Sequence, residues 1–468
     1  MDQIFQEFAS NFVPNNYLTI SLDAKKNVLK KFRIILEKKK IPKNGWKDDE
    51  IEEFINYISS LDSNNFPVTC GIGEREGRIA CKLVARRHLN FSHGIGRSGD
   101  LLESQPKAAG SSLLSTLTNS LVLDYIKNIA GVKSTASCFI VPVATGMALS
   151  LCFLTLRKQK PDAKYILWSR IDQKSAFKTI TTSGFIPIII EQQLDASSEL
   201  HTNVKEFENQ INVLGPDNIL CIYSTTSCFA PRNTDNLEKL AMLAKGNEIF
   251  HIVNNAYGLQ CSKICHIIEE AQKNGRIDLF VQSTDKNFLV PVGGSIIAGF
   301  REEQVKNVAK TYVGRASSSQ TLDVLLTILS LGESGFKELL AERKNNFIYL
   351  NENLKILAES LNETIIKSVN PISIGMTLSS LNINDVTKLG SMLFKRGITG
   401  ARVISCTDSK TIDNYKFDNW NSHYTSNNPK IPYITAAAAL GMKKDEVDVF
   451  CSKLKECYLK CKNSLEVA

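Results

Sequence analysis

Seven short apolar runs lie between residues 135 and 300, and stretches of helical character separate them. The runs are rich in β-branched and aromatic residues and are nearly continuous in apolar character. Strands of this kind are buried on both faces, and intervening helices are typical of a largely parallel sheet. The runs are SCFIVPV, KYILWS, FIPIII, NILCIYS, IFHIVNNA, IDLFVQS and SIIAGF. The sequence therefore predicts an α/β fold with a mainly parallel, seven-stranded sheet.

Two further parts flank this sheet. The N-terminal part shows two amphipathic helical patterns, the first with Asp23 as its candidate cap and Phe32 in its apolar stripe. After Arg315 a long helical region precedes the runs PISIGMTL and ARVISC and a final helix. We therefore predict a helical N-terminal extension, a large domain and a smaller C-terminal α/β domain, over residues 1–60, 61–315 and 316–468.

Composition excludes several classes of protein. The chain has 468 residues, of which 43% are hydrophobic, but no window approaches 18 uncharged apolar residues, so we expect no transmembrane helix. The N-terminus lacks the basic and apolar regions of a signal peptide. The 12 cysteines contain no CxxC pair, which indicates reduced thiols and a cytoplasmic protein. Cys261, Cys265 and His266 lie close together but lack further ligands, so we predict no metal site.

A lone lysine, Lys286, follows the run IDLFVQS and precedes the paired glycines Gly293 and Gly294. In open α/β sheets, ligands bind beyond the carboxyl ends of the strands. A lysine in a partly desolvated crevice there would have a lowered pKa and could form a Schiff base with an aldehyde cofactor. The glycines would let the next strand pass close by. A purely structural lysine is the alternative.

Two other strand ends support the cofactor hypothesis. Ala144, Thr145 and Gly146 join a strand to a helix, where backbone N–H groups and the Thr145 hydroxyl would cradle a phosphate. Asn254 ends another strand before Lys286. This order of features is that of fold-type I pyridoxal 5'-phosphate (PLP) enzymes. Because Asn254 replaces the usual aspartate, the ring would be a weaker electron sink, which suits a good leaving group and argues against transamination.

A glycine-rich basic segment supplies candidate anion-binding groups. HGIGRSGD formally matches GxGxxG, but no buried strand precedes it, so we reject a dinucleotide-binding site. We interpret the segment as a flexible oxyanion loop. Arg97 would bind phosphate bidentately, and Ser98, Gln105 and Lys107 would add donors and charge. A solvated basic loop is the alternative, especially for residues 86–88.

Longer runs match a single family. They include CGIGEREGR, HGIGRSGD, QPKAAGSSLL, RIDQKS, STTSCFAPR, HIVNNAYG, DKNFLVPVGG and GRASSS. Over nearly its whole length the sequence resembles the O-phosphoseryl-tRNA(Sec) selenium transferases. The resemblance implies a PLP enzyme that converts phosphoseryl-tRNA(Sec), with selenophosphate, to selenocysteinyl-tRNA(Sec). It also implies a homotetramer with active sites at a dimer interface.

The resemblance also implies roles for individual residues, with Lys286 as the lysine that binds PLP. The implied cofactor-binding residues are Arg75, Ala144, Thr145, Gly146, Gln173, Lys174, Asn254 and Lys286. The implied substrate-binding residues are Glu74, Gly96, Arg97, Ser98, Gln105, Lys107 and Arg315. Glu74 matches a carboxylate thought to reject free amino acids. The implied tRNA contacts are Lys273, Arg396 and a position beside Lys462 in the last helix.

A lysine-rich stretch over residues 25–47 adds a second candidate surface for tRNA. Lys38, Lys39 and Lys40 follow the first amphipathic helix, whose apolar stripe would dock it on the body of the protein. Lysines that remain free would meet RNA phosphates without reading bases. The alternative is a solvated helix that only aids solubility.

Two other functions stay open from the sequence. A related PLP sulfur transferase would use a persulfide, and Cys228 in STTSCFAPR is the best candidate thiol. A non-catalytic tRNA-binding protein on a PLP fold is the second alternative, although Lys286, Arg97 and Arg315 argue against it. We predict no DNA or membrane partner.

Overall fold

A seven-stranded sheet forms the centre of the protein in the computed structural model, which describes residues 7–67, 70–195, 199–406, 409–421 and 431–463. The strands up to residue 299 are β1 (Ser137–Val141), β2 (Tyr165–Ser169), β3 (Ile186–Ile190), β4 (Gln193–Leu194), β5 (Leu200–His201), β6 (Ile219–Thr225), β7 (Phe250–Asn254), β8 (Leu279–Ser283) and β9 (Ser295–Gly299). The order in the sheet is β1-β9-β8-β7-β6-β2-β3. Only β9 runs antiparallel to its neighbours, β1 and β8. The prediction of a mainly parallel, seven-stranded sheet is confirmed.

Two helices, α1 (Asn15–Lys38) and α2 (Asp48–Ser59), form the N-terminal extension. Asp23 does not cap the first helix, as the sequence suggested. The helix begins two turns earlier, after Pro14, and the Asp23 carboxylate instead lies 2.9 Å from Lys26. The rings of Phe32, Trp46 and Phe54 pack together with centroids 4.8 to 5.7 Å apart, and Phe32 and Ile35 of the predicted apolar stripe are buried.

The large domain has helices on both sides of its sheet. They are α3 (Lys82–Arg87), α4 (Ala109–Asp124), α5 (Thr145–Arg157), α6 (Lys174–Thr182), α7 (Val204–Leu214), α8 (Leu237–Gly246), α9 (Ser262–Asn274), α10 (Thr284–Phe288) and α11 (Glu302–Ala309). A π-helical turn extends α4, and short 3₁₀ turns lie at Ser63–Asn65, Pro216–Asn218 and Gly258–Gln260. In the part of the chain that the structure describes, no helix is long and apolar enough to cross a bilayer.

The longest helix, α12 (Ser319–Ser360), is broken at Gly332, whose φ is 60°. A side chain at this glycine would collide with the backbone of the N-terminal extension. The extension fills the break: the Trp46 N–H donates to the Leu329 carbonyl at 2.8 Å, and the Glu333 N–H donates to Pro42 at 2.9 Å. The extension and α12 therefore satisfy each other's backbone groups.

The C-terminal part completes a second α/β unit. Its elements are β10 (Ser373–Thr377), α13 (Ile383–Lys395), β11 (Arg402–Ile404), β12 (Lys410–Ile412), β13 (Tyr415–Phe417), β14 (Tyr433–Ala437) and α14 (Lys444–Asn463). The strands β10, β14 and β11 form an antiparallel sheet in that order, and β12 and β13 form a separate hairpin. The hairpin packs on the large domain, where Phe417 lies 4.8 Å from Phe177 between ring centroids. The domain boundaries at residues 60 and 315 stay predictions.

A buried carboxylate, Glu363, holds the C-terminal unit together. It accepts hydrogen bonds from the hydroxyls of Thr377 (2.6 Å), Ser379 (2.7 Å) and Tyr458 (2.6 Å), and from the backbone N–H of Ser380 (2.9 Å). Burial alone would raise its pKa, but these donors outweigh burial and lower the pKa of Glu363. Since Tyr458 lies on α14, the carboxylate fastens that helix to β10.

Glu363→Gln should therefore lower the free energy of unfolding, by about 1.5–3 kcal/mol for the removal of a charge-assisted hydrogen bond in a buried site. The folded carboxyl has a lowered pKa, so its contribution is present above the unfolded pKa of about 4.3 and is lost as the pH falls through the folded pKa. Urea unfolding between pH 3 and pH 7 measures both effects. Glu359→Gln, at an exposed position of α12, is the matched control, and equal stability of the two variants would contradict this role.

Candidate active site

Lys286 lies on α10, which begins directly after β8 ends, at the carboxyl edge of the sheet. Its side chain is half-buried, and its Nζ lies 4.5 Å from the centroid of the Tyr257 ring. Burial lowers the pKa of Lys286, and the neighbouring Asp285 only partly opposes this effect. The expected desolvated lysine at a strand end is therefore present.

The paired glycines pass directly against the turn that carries the lysine. The backbone N–H and the hydroxyl of Thr284 both donate to the Gly294 carbonyl, at 3.1 and 2.9 Å. A Cβ at Gly294 would lie 2.7 Å from the Thr284 hydroxyl, and Gly293 has a φ of 136°. Both positions therefore need glycine, one for close approach and one for its backbone conformation.

The carboxyl end of β7 is lined by neutral amides. Asn254 is buried, and its side-chain nitrogen lies 3.4 Å from the Tyr223 hydroxyl, while its oxygen accepts from the Ala256 N–H at 3.3 Å. Asn255 beside it accepts from Thr226 at 2.8 Å. The predicted ring contact at Asn254 therefore lies in uncharged surroundings, next to the strand that leads to Lys286.

The start of α5 offers unpaired backbone donors. Among the described residues no side chain caps this helix, so the N–H groups of its first turn are free for an anion. The Ser295 hydroxyl donates to the Val143 carbonyl at 2.8 Å and lies 3.4 Å from the Thr145 hydroxyl. Because Ser295 directly follows Gly294, β9 brings the helix start and the lysine turn to the same edge of the sheet.

Backbone hydrogen bonds hold the glycine-rich loop next to the segment that carries Arg315. Ile95 and Ala316 exchange two backbone hydrogen bonds of 2.9 and 3.1 Å, and the Gly99 N–H donates to the Gly314 carbonyl at 3.3 Å. Arg97 is exposed in this loop, 3.3 Å from Glu103. The structure therefore places the two predicted phosphate-binding arginines on adjacent backbone segments.

Arg315 has buried guanidinium donors that are available to bind an anion. Its side chain is half-buried, and its Nε and one Nη have no hydrogen-bond partner among the described residues. Burial and the nearby Arg75 both lower the pKa of Arg315. Lys107, by contrast, is already paired with Glu76 at 2.7 Å. A desolvated guanidinium without partners is costly unless a ligand supplies acceptors.

The other predicted cofactor and substrate residues have varied surroundings. Gln173 directly precedes α6 and lines a cavity of about 330 Å³, whereas Lys174 is exposed near Lys410, which lowers the pKa of Lys174. Ala144 is exposed just before α5, and Gly146 lies in the first turn of that helix. Glu74 is exposed and lies 3.8 Å from Arg75. In the glycine-rich loop Gly96 is buried and Ser98 is exposed, while Gln105 is half-buried and its backbone N–H donates to the Ser112 hydroxyl. No described hydrogen bond or ion pair joins Lys286 to the arginines. The individual roles stay predictions.

The predicted tRNA contacts are all on the surface. Lys38, Lys39 and Lys40 are exposed at the end of α1. Lys273 lies 2.9 Å from Glu270, Arg396 lies 3.5 Å from Glu456, and Lys462 is half-buried on α14. Lys273 and Arg396 are thus paired with carboxylates, whereas the lysines at the end of α1 and Lys462 have no described ion pair.

Cys228 is poorly suited to carry a persulfide. It is buried near Tyr257, and burial raises the pKa of its thiol. A thiol that stays protonated is a weak nucleophile. This argues against the sulfur-transfer alternative.

Sequence reasoning missed two groups of the site. The Tyr257 ring beside Lys286 and the Ser295 hydroxyl beside Thr145 both contact predicted residues. The tyrosine directly follows the polar strand end NNA, which was the available signal. Near the end of β6, the buried hydroxyls of Thr225 and Ser227 also lack described hydrogen-bond partners.

This sheet, with a lysine at the end of β8 and an uncapped helix after β1, has the architecture of the fold-type I PLP enzymes. Rice TDC in complex with PLP and tryptamine superposes with a TM-score of 0.58 at 10% identity, covering 96% of this chain and 98% of that one. Mouse CSAD gives 0.57 at 11% identity, covering 93% and 98%. Likenesses at such low identity show the fold alone.

Closer relatives define the family. Residues 61–459 match the family model described as O-phosphoseryl-tRNA(Sec) selenium transferase, SepSecS. The enzyme of that name from Dictyostelium discoideum is 45% identical, over 97% of this chain and 98% of its own length, and that from Caenorhabditis elegans is 43% identical, over 91% and 88%. The crystal structure of an archaeal member superposes with a TM-score of 0.86 at 30% identity, covering 95% and 98%. The chain belongs to the O-phosphoseryl-tRNA(Sec) selenium transferase family.

Arg315→Met should have two opposite effects. It should weaken binding of the phosphate-bearing substrate about 10- to 150-fold, because a charge-assisted hydrogen bond to the phosphate is removed, while PLP content stays unchanged. It should also raise the free energy of unfolding of the substrate-free protein, because a desolvated guanidinium without partners is removed. Isothermal titration and urea unfolding measure the two effects, and Arg33→Met, at an exposed ion pair with Glu37 on α1, is the control. Loss of PLP together with substrate would assign Arg315 to the cofactor instead.

Proposed function

We propose that this protein converts O-phosphoseryl-tRNA(Sec) to selenocysteinyl-tRNA(Sec), with PLP as its cofactor and selenophosphate as its selenium donor. The single observation that carries the proposal is the half-buried Lys286 at the carboxyl edge of the sheet, with a lowered pKa. Family membership supports the same substrate class. An assay of phosphate release from phosphoseryl-tRNA(Sec), with and without selenophosphate, tests the proposal directly.

The residues present fit PLP. Lys286 offers a desolvated amine for its aldehyde, and the free N–H groups at Ala144–Gly146 suit its phosphate. Asn254 would contact its ring nitrogen, and Arg75 and Gln173 are further candidates. When bound, PLP supplies an aldehyde for amines and an electron sink for the α-carbon. With a neutral amide at the ring nitrogen, that sink is weak, so the leaving group must be good.

The protein's own groups then divide the work. Lys286, as a neutral amine, removes the α-proton of the phosphoseryl group, because its lowered pKa leaves more of it unprotonated. Arg97 and Arg315, with Ser98 and Gln105, stabilise the charge that develops on the departing phosphate. Selenium of selenophosphate bonds to the β-carbon while the Lys286 ammonium returns a proton to the α-carbon. Hydrolysis of the P–Se bond by water then gives the selenol and a second phosphate.

The protein would assemble into a homotetramer with active sites at a dimer interface. Ile72, Val292 and Val313 are 94%, 77% and 96% exposed. They flank Glu74, the glycine turn and Arg315 in the chain. Exposed large apolar side chains are typical of surfaces that another subunit covers, which supports a subunit contact near these residues.

The basic surfaces suit the tRNA. Lys38, Lys39 and Lys40 would bind backbone phosphates, with Lys273, Arg396 and Lys462 as further contacts. Glu74 would repel the free α-carboxylate of phosphoserine but accept the ester of an aminoacyl-tRNA. All 12 cysteines are free thiols, which fits action in the cytoplasm.

Lys286→Ala should lower turnover by at least about 10²–10⁴-fold, because the base and the cofactor attachment are lost together. The visible absorbance of lysine-bound PLP should disappear as well. Lys263→Ala, at an exposed position on α9, is the control and should retain both properties. A borohydride-stable PLP adduct on another lysine of the Lys286→Ala variant would refute the assignment.

Neutralising Lys38, Lys39 and Lys40 to glutamine should weaken tRNA binding. The slope of log K against log salt should flatten by about 0.7–0.9 for each phosphate that the variant no longer neutralises, with turnover at saturating tRNA unchanged. A matched triple variant at Lys205, Lys239 and Lys245 removes the same charge from α7 and α8. Filter binding at salt concentrations from about 50 to 200 mM compares the tRNA affinity of the two triple variants. If both triple variants weakened tRNA binding equally, the effect would come from the lower net charge of the protein and not from a specific tRNA contact.

A further inference from the structure

The Lys286 amine has an unusual environment. Among the described residues it makes no hydrogen bond and no ion pair, and the face of the Tyr257 ring, 4.5 Å away, is its close partner. That distance lies within the range of about 6 Å in which an ammonium is attracted to an aromatic face. The ring attracts the ammonium but gains little from the neutral amine. The pair therefore discriminates between the two protonation states of the lysine.

Three hydrogen bonds hold the ring and the lysine at a fixed spacing. The Ala256 carbonyl accepts from the Ser283 N–H at 3.3 Å and from the Asn287 side chain at 2.9 Å. The Gln260 side chain donates to the Lys286 carbonyl at 3.2 Å. These bonds tie the turn after β7 to both ends of α10. The backbone segments that carry the ring and the amine are thus held at a fixed spacing.

The charged and titratable groups around the pair come from several elements. Asp285 neighbours the lysine on α10 and favours its charged form. The hydroxyl end of Tyr257 faces Cys228 from the loop after β6 and Arg402 from β11, and burial raises the pKa of Tyr257. With that hydroxyl protonated and Cys228 a neutral thiol, the face of the ring is the main feature that favours the ammonium beside Asp285.

We infer that Tyr257 is a positioning residue that holds the Lys286 ammonium on its ring face after the lysine has taken the substrate proton. Burial favours the neutral amine before proton transfer, and the ring offsets part of the desolvation of the ammonium afterwards. An interaction that forms only as the charge develops lowers the barrier without tightening the ground state. The inference rests on the proposed role of Lys286 as the base.

The test compares Tyr257→Phe, which keeps the ring, with Tyr257→Leu, which removes it. In the full-length protein freed of PLP, the pKa of Lys286 is read from the pH dependence of its acetylation, quantified by mass spectrometry. Tyr257→Leu should lower this pKa by about 0.4 to 1.5 pH units, and Tyr257→Phe should leave it unchanged. In the loaded enzyme, the acid limb of the turnover profile should move to lower pH by a similar amount, and the plateau should fall.

Phenylalanines with increasing fluorine content at position 257 provide a second series if Tyr257→Leu fails to fold. They keep the shape of the ring but weaken its negative face, so the Lys286 pKa should fall stepwise with fluorination. An unchanged pKa across the series, or equal shifts in Tyr257→Phe and Tyr257→Leu, would overturn the inference. Because the amine pKa is measured without turnover, failure of the proposed function would show separately as inactivity of the wild-type protein.

Discussion

The double hydrogen bond from Thr284 to the Gly294 carbonyl is the contact on which the arrangement of the site depends. It fixes the short helix with Lys286 against the start of β9. The next residue, Ser295, reaches back to the helix start after β1. One carbonyl therefore relates the Lys286 amine to the uncapped helix start after β1. Because a side chain at Gly294 has no space, the contact also sets the sequence there.

The candidate active site contains desolvated cationic side chains that lower the free energy of unfolding. The amine of Lys286 and the guanidinium of Arg315 are both desolvated, and neither makes a described ion pair. Such groups persist only where the surrounding structure over-determines them. Here the surrounding stability comes from the sheet core, from the aromatic cluster under α1 and α2, and from the fully hydrogen-bonded Glu363. Function and stability are thus supplied by separate parts of the chain.

Local sequence pattern predicted the sheet, the helix after Ala144 and the lysine at the end of β8, because burial and capping act over few residues. It failed at Asp23, which suits a cap, because the residues just upstream extend the helix past it. It also failed where distant segments decide the structure. The break at Gly332 depends on contact with the N-terminal extension, and the hairpin β12–β13 is specified by packing on Phe177. The ring of Tyr257 meets Lys286 only through long-range hydrogen bonds.

The filled break in α12 has a consequence for how the chain could be shortened. Trp46 and Pro42 supply the backbone partners that the helix lacks at Gly332, and the rings of Phe32 and Phe54 pack against Trp46. A truncated form that starts at the large domain would expose this gap and the apolar surface around it. The extension is therefore an integral layer of the fold, and a minimal catalytic fragment of this protein must include it.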